Sequence, residues 1–82
     1  MNGNKLKTYL EMAERHVNEI GFYLDHQRQI VVELERRGRG QSETAKLAKE
    51  ILKSFEIAQK AYVAHRNILR EAIERERKPV VP

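Results

Sequence analysis

The segment LERRGRGQSETAKL, residues 34–47, interrupts an otherwise continuous helical pattern. Gly38 or Gly40 suits the left-handed backbone position that ends a helix, and the arginines just before them complement the negative end of a helix dipole. Ser42 is a good N-cap residue, and Glu43 follows it in a first turn where a carboxylate is favoured. We interpret the segment as the connection between two helices.

The same segment could instead be a phosphate-binding loop, because it is rich in glycine and arginine. A P-loop requires a preceding strand and a Gly-Lys-Ser/Thr ending. Neither feature is present in this sequence. The turn interpretation is therefore favoured.

The 82 residues form one predicted helical-hairpin domain, 1–82. Proline is absent before Pro79, which cannot continue a helix. We predict a helix over about 4–37, a turn over 38–42, a helix over about 43–77 and an extended tail over 78–82. Each helix would be about 50 Å long.

Apolar residues recur at alternating steps of four and three in both helices. In the first they are Leu6, Leu10, Ala13, Val17, Ile20, Leu24, Gln27, Val31 and Leu34, with one polar member. In the second they are Ala48, Ile51, Phe55, Ala58, Tyr62, His65, Leu69 and Ala72. Such a sustained heptad pattern is typical of coiled-coil packing.

Folding the chain back at the glycines brings the two patterns level with each other. The predicted pairs are Leu34 with Ala48, Val31 with Ile51, Gln27 with Phe55, Leu24 with Ala58, Ile20 with Tyr62, Val17 with His65, Ala13 with Leu69 and Leu10 with Ala72. Large residues repeatedly face small ones, as interdigitating layers require. The predicted fold is an all-α antiparallel two-helix hairpin.

Further apolar residues flank this pattern on one side. They are Tyr9, Tyr23, Ile30, Leu47, Ala61 and Ile68. The other flank is more polar, and there the register places Glu14 near Arg66. A hairpin cannot cover a wide apolar face by itself, so we predict a homodimer that forms a four-helix bundle, with an unknown protein partner as an alternative.

Four polar or flexible positions within the helices invite a specific role. Gln27 and His65 fall in the apolar pattern, where a polar residue can fix register. His16 and His65 are weak candidates for metal binding, but the Glu-x-x-His spacing of metal-binding bundles is missing. We predict neither a metal nor a cofactor. Gly21 either permits a close helix contact or is neutral.

The formal charge of +4 arises in the second half of the chain, with ten basic and six acidic residues after position 37. A nucleic-acid site would use the basic turn end, namely Arg36, Arg37, Arg39, Lys46, Lys49 and Lys53. Six phosphate contacts could give salt-sensitive binding. Glutamates are interleaved with these residues and no aromatic platform lies nearby, so we do not expect nucleic acid as the partner.

Other functional classes find little support in the sequence. There is no cysteine, no nucleophile with a base and no pair of inward carboxylates, so we predict that the protein is not an enzyme. No transmembrane run or apolar leader is evident, which predicts a cytoplasmic protein that does not use a membrane. The leading hypothesis is an interaction or scaffold module. A nucleic-acid-associated protein is second and a metal-binding bundle third.

The chain also resembles a group of short uncharacterised bacterial proteins. The residues that carry the resemblance form the pattern ERHV, QR, LERxG, FExxQ and HRxxL, within residues 13–17, 27–38, 55–59 and 65–69. The resemblance implies a bacterial, soluble, helical protein of unknown activity. It also implies that His16, Arg28, Gln59, His65 and Arg66 are features of the group.

Overall fold

Two long antiparallel helices account for nearly all of the structure, a computed structural model that describes residues 3–77. Helix α1 is Gly3–Arg36 and helix α2 is Glu43–Arg77. No strand occurs in the described range, so the predicted all-α hairpin is confirmed. The tail predicted over 78–82 lies outside the described residues.

Helix α1 ends in a Schellman motif, which satisfies its last carbonyl groups. The amide of Arg39 donates to the carbonyl of Leu34 at 2.8 Å, and the amide of Gly38 donates to that of Glu35 at 3.0 Å. Of the two predicted candidates, Gly38 is the left-handed residue, because its φ is 75°. Gly40 instead lies close to the side chain of Glu35.

Helix α2 begins with the predicted N-cap. The hydroxyl of Ser42 accepts a hydrogen bond from the amide of Ala45 at 3.1 Å and donates to the carbonyl of Arg39 at 2.7 Å. One side chain thus satisfies an orphan amide of α2 and also ties the helix to the turn. The local interpretation of the segment 34–47 is confirmed in both of its halves.

The apolar pattern predicted for α1 is the face that packs against α2. Ala13, Ile20, Leu24, Gln27 and Val31 are buried, and Leu24 is fully inaccessible to solvent. The remaining members, Leu6, Leu10, Val17 and Leu34, are half-buried. Every position of this prediction is confirmed.

The pattern predicted for α2 is only partly correct. Ala48 and Leu69 are buried, and Phe55, Ala58 and Ala72 are half-buried, as predicted, but Ile51, Tyr62 and His65 are exposed. The face toward α1 includes Leu52 and Arg66, which follow Ile51 and His65 in the sequence. We call this face the inner seam of α2; it consists of Ala45, Ala48, Leu52, Phe55, Gln59, Arg66, Leu69 and Ile73, with the exposed Tyr62 at its edge.

The helix is therefore rotated toward Leu52 and Ile73 relative to the prediction. Facing His65 inward would bury an imidazole in an apolar layer, which is costly without a hydrogen-bond partner. Arg66 can cover the same layer with its aliphatic stem while its guanidinium remains in water. The prediction that His65 is a polar core residue fixing the register is wrong for the hairpin.

Gln27 is the polar core residue of the hairpin. Its Nε2 donates to the carbonyl of Ala48 at 2.9 Å, seven residues before its predicted partner Phe55. No buried side-chain nitrogen or oxygen within residues 4–77 lacks a partner. Gln27 is buried, and a buried amide bonded to an acceptor on the facing helix favours one alignment of the two helices.

Ion pairs join the helices along one flank. Glu14 pairs with Arg70 at 3.0 Å, Glu35 with Lys49 at 3.4 Å, and Arg28 with Glu56 at 4.0 Å. The predicted pair of Glu14 with Arg66 is wrong, because the guanidinium of Arg66 lies against the amide oxygen of Asn67. The rotation of α2 brings Arg70 to this flank instead.

Candidate interaction surface

All six residues of the predicted dimer face are exposed. Tyr23 retains 53% of its accessible surface, Leu47 58% and Ile68 62%. Tyr9, Ile30 and Ala61 are also exposed. The structure therefore leaves this surface uncovered in a single chain, on the side of the hairpin away from the ion pairs.

The rotation of α2 enlarges this surface. Ile51 and His65, which the sequence placed in the core and the structure leaves exposed, join the exposed residues of the predicted dimer face on α2. With the exposed Ser54 and the half-buried Ala58 and Ala72 they form a second heptad pattern, which we call the outer seam of α2: Leu47, Ile51, Ser54, Ala58, Ala61, His65, Ile68 and Ala72. This seam was not predicted from the sequence, although its members follow one another there at alternating steps of four and three.

The outer seam contains no aspartate, glutamate, lysine or arginine. Charged residues make up 34% of the chain, so eight consecutive seam positions without one are a clear departure from its average. A helix with one apolar face packs against a single neighbouring element. A helix with two apolar seams can pack against a neighbour on each of two sides. In the hairpin, Ala58 and Ala72 of the outer seam are half-buried and its other six residues are exposed.

Aromatic rings border the outer seam where it meets α1. The rings of Tyr23 and Phe55 are stacked with centroids 6.1 Å apart, and His16 lies 5.5 Å from Tyr62. These four side chains, with Glu19 and Ile20, line an open cleft of about 240 Å³. Ligand pockets usually measure about 300–1,000 Å³, so the cleft is better suited to side chains of a partner than to a separate ligand.

The two histidines considered for metal binding are in different surroundings. His16 contacts an aromatic ring, and His65 is an exposed member of the outer seam. Among the described residues, no three His, Cys, Asp or Glu side chains are grouped so that they could hold a metal ion.

The basic turn end is partly neutralised by neighbouring glutamates. Glu33 pairs with Arg37 at 3.1 Å and with Arg36 at 3.6 Å. Lys46 pairs with Glu43 at 3.5 Å, and Lys49 pairs with Glu35. Four of the six candidate phosphate contacts thus have a carboxylate within 4.0 Å, which lowers the positive potential that nucleic acid would meet.

Comparisons with known proteins yield no relative. No protein-family model matches the chain, and neither the curated proteins nor the solved structures searched contain a match. Neither α1 nor α2 has a stretch that is both long and apolar enough to cross a lipid bilayer.

Proposed function

We propose that the protein is a non-enzymatic interaction module that self-associates, as a dimer, through its apolar flank. The observation that carries this proposal is the outer seam of α2, a heptad pattern without a charged residue, six of whose eight members are exposed in the hairpin. A contiguous apolar surface that is exposed to water is typical of protein interfaces.

The exposed area of the chain supports the proposal. One chain exposes 6678 Å², whereas a compact monomer of this mass would expose about 5,100 Å². The excess, about 1,600 Å², follows from the elongated shape of 66 × 20 × 15 Å. A stable interface needs only about 800 Å² from each partner, so the hairpin has enough surplus surface to form one.

The proposal is tested by light scattering on two matched variants. In Ile68→Glu a carboxylate replaces an apolar side chain of the outer seam, and in Val32→Glu the same change is made on α1, outside the flank. Both positions are exposed in the hairpin, at 62% and 57%, so both variants should fold. Burying an unpaired charge in an interface costs about 3 kcal/mol or more, which weakens association on the order of a hundredfold.

We expect a dimer for the unmodified chain and for Val32→Glu, and a monomer for Ile68→Glu at tens of micromolar. Circular dichroism should show the same helix content in all three proteins. A monomeric unmodified chain would refute the proposal, and so would equal dissociation of the two variants.

A further inference from the structure

We infer that the partner is a second copy of this chain, docked with its α2 antiparallel to the first α2 about a two-fold axis between residues 59 and 60. This inference rests on the proposed self-association and specifies its geometry. It follows from the pattern of the outer seam, whose members lie symmetrically about the middle of the helix.

The outer seam is complementary to itself when it is reversed. Its facing pairs across the two-fold axis would be Leu47 with Ala72, Ile51 with Ile68, Ser54 with His65 and Ala58 with Ala61, each occurring twice. The bulky Leu47 meets a small residue, and the four central alanines allow the helix backbones to approach closely. Isologous contacts of this kind are the commonest basis of homodimers.

The polar members of the seam meet each other only in the antiparallel arrangement. The hydroxyl of Ser54 donates to the carbonyl of Glu50 at 3.2 Å, which leaves its oxygen able to accept a hydrogen bond. A ring N–H of His65 from the second copy can supply that bond, so neither group is buried without a partner. A parallel arrangement would place His65 against His65 and Ser54 against Ser54.

The remaining contacts extend the interface on both sides. Tyr9, Tyr23 and Ile30 border the seam on the side of α1, and Ile57, which is 65% exposed, borders it on the other side and would face Ala64 of the second copy. Glu50 and Glu71 lie on the same line of α2 as Ile57 and Ala64, so Glu50 of one copy would lie near Glu71 of the second copy at each end of the interface. Interactions between exposed charges are weak and are screened by salt, so this repulsion is small beside the apolar contacts.

The absence of native cysteine allows a direct test by disulfide cross-linking. Ile51→Cys and Ile68→Cys are prepared separately in the full chain, the second of them labelled with ¹⁵N, then mixed and oxidised. In the antiparallel dimer, residue 51 of one copy faces residue 68 of the other, whereas the two copies of residue 51 are about 25 Å apart along the axis. A disulfide requires Cα atoms within about 7 Å.

Intact mass spectrometry then distinguishes the arrangements. We expect the mixed light–heavy dimer as the main cross-linked species, with each variant alone no more cross-linked than Val32→Cys, which measures random collision. Light–light and heavy–heavy dimers would show a parallel alignment and overturn the inference. If the mixture cross-links no more than Val32→Cys and light scattering shows a dimer, the antiparallel geometry is overturned but self-association stands. If the mixture cross-links no more than Val32→Cys and light scattering shows a monomer, both the antiparallel geometry and self-association are overturned.

Discussion

Replacing Gly21 by alanine should stabilise the hairpin. Gly21 lies in the middle of α1, and a Cβ atom added there would meet nothing within 4 Å, so the close helix contact considered from the sequence is absent. Glycine in a helix interior is less favourable than alanine by about 1 kcal/mol. Since the added methyl group meets no neighbour, we expect nearly all of this difference as a gain in stability.

The same substitution at Gly38 should have the opposite effect. There too a Cβ atom would meet nothing within 4 Å, but φ is 75°, a conformation that costs an L-residue about 1–2 kcal/mol. The two variants change identical atoms and differ only in backbone conformation. We expect their free energies of unfolding to differ by about 2 kcal/mol or more.

Thermal unfolding followed by circular dichroism measures this difference. For a domain of this size, 1 kcal/mol shifts Tm by about 4–8 °C, so Gly21→Ala should melt several degrees above the unmodified chain and Gly38→Ala several degrees below it. All three proteins are compared at one concentration, because self-association would make Tm depend on concentration. A shift of both variants in the same direction would refute the assignment of one glycine to a helix and the other to its end.

Four further substitutions test the core and the turn. Leu24→Asp places a carboxylate at a fully buried position, and we expect the cooperative unfolding transition to disappear; an unchanged transition would refute the packing of α1. Gln27→Ala removes the bond to Ala48 and should lower the free energy of unfolding by about 1–2 kcal/mol in urea titrations, whereas no change would show that the bond does not form. Ser42→Ala should cost about 1 kcal/mol through the lost N-cap, while Arg39→Ala, at an exposed turn position, should change stability by less than about 0.5 kcal/mol; equal effects of the two would contradict the cap.

The turn could be predicted from sequence because its determinants are local. Ser42 satisfies an amide three residues away, and glycine is the residue that best tolerates a positive φ. The choice between Gly38 and Gly40 could not be made, since both spacings are compatible with a helix end. The structure distinguishes them by the positive φ of Gly38 and by the hydrogen bonds of the Schellman motif.

The face of α1 was also predictable, whereas the rotation of α2 was not. Helix α1 has one apolar pattern sustained along its whole length, and this pattern identifies the face that packs against α2. Helix α2 has apolar residues on several adjacent rows, and the core could include either Ile51 and His65 or Leu52 and Arg66. The outcome depends on which side chains pack against α1 and on the different costs of burying an imidazole and an arginine stem, which periodicity does not measure.

The exposed apolar surface of the hairpin was predicted in its position and underestimated in its extent. Tyr23, Leu47 and Ile68 were assigned to it from the flanking pattern and are exposed. Ile51 and His65 belong to the same surface, but the sequence analysis assigned them to the hairpin core. The rotation of α2 that moved them outward is also what completes an uncharged seam on the outer side of the helix.

Sedimentation equilibrium of the unmodified chain tests most directly whether a second copy covers the outer seam. At tens of micromolar we expect a mass of twice the 9.6 kDa of one chain, decreasing toward 9.6 kDa on dilution. A mass of 9.6 kDa at every concentration would contradict the account, because the outer seam would then remain in water without a partner of its own kind.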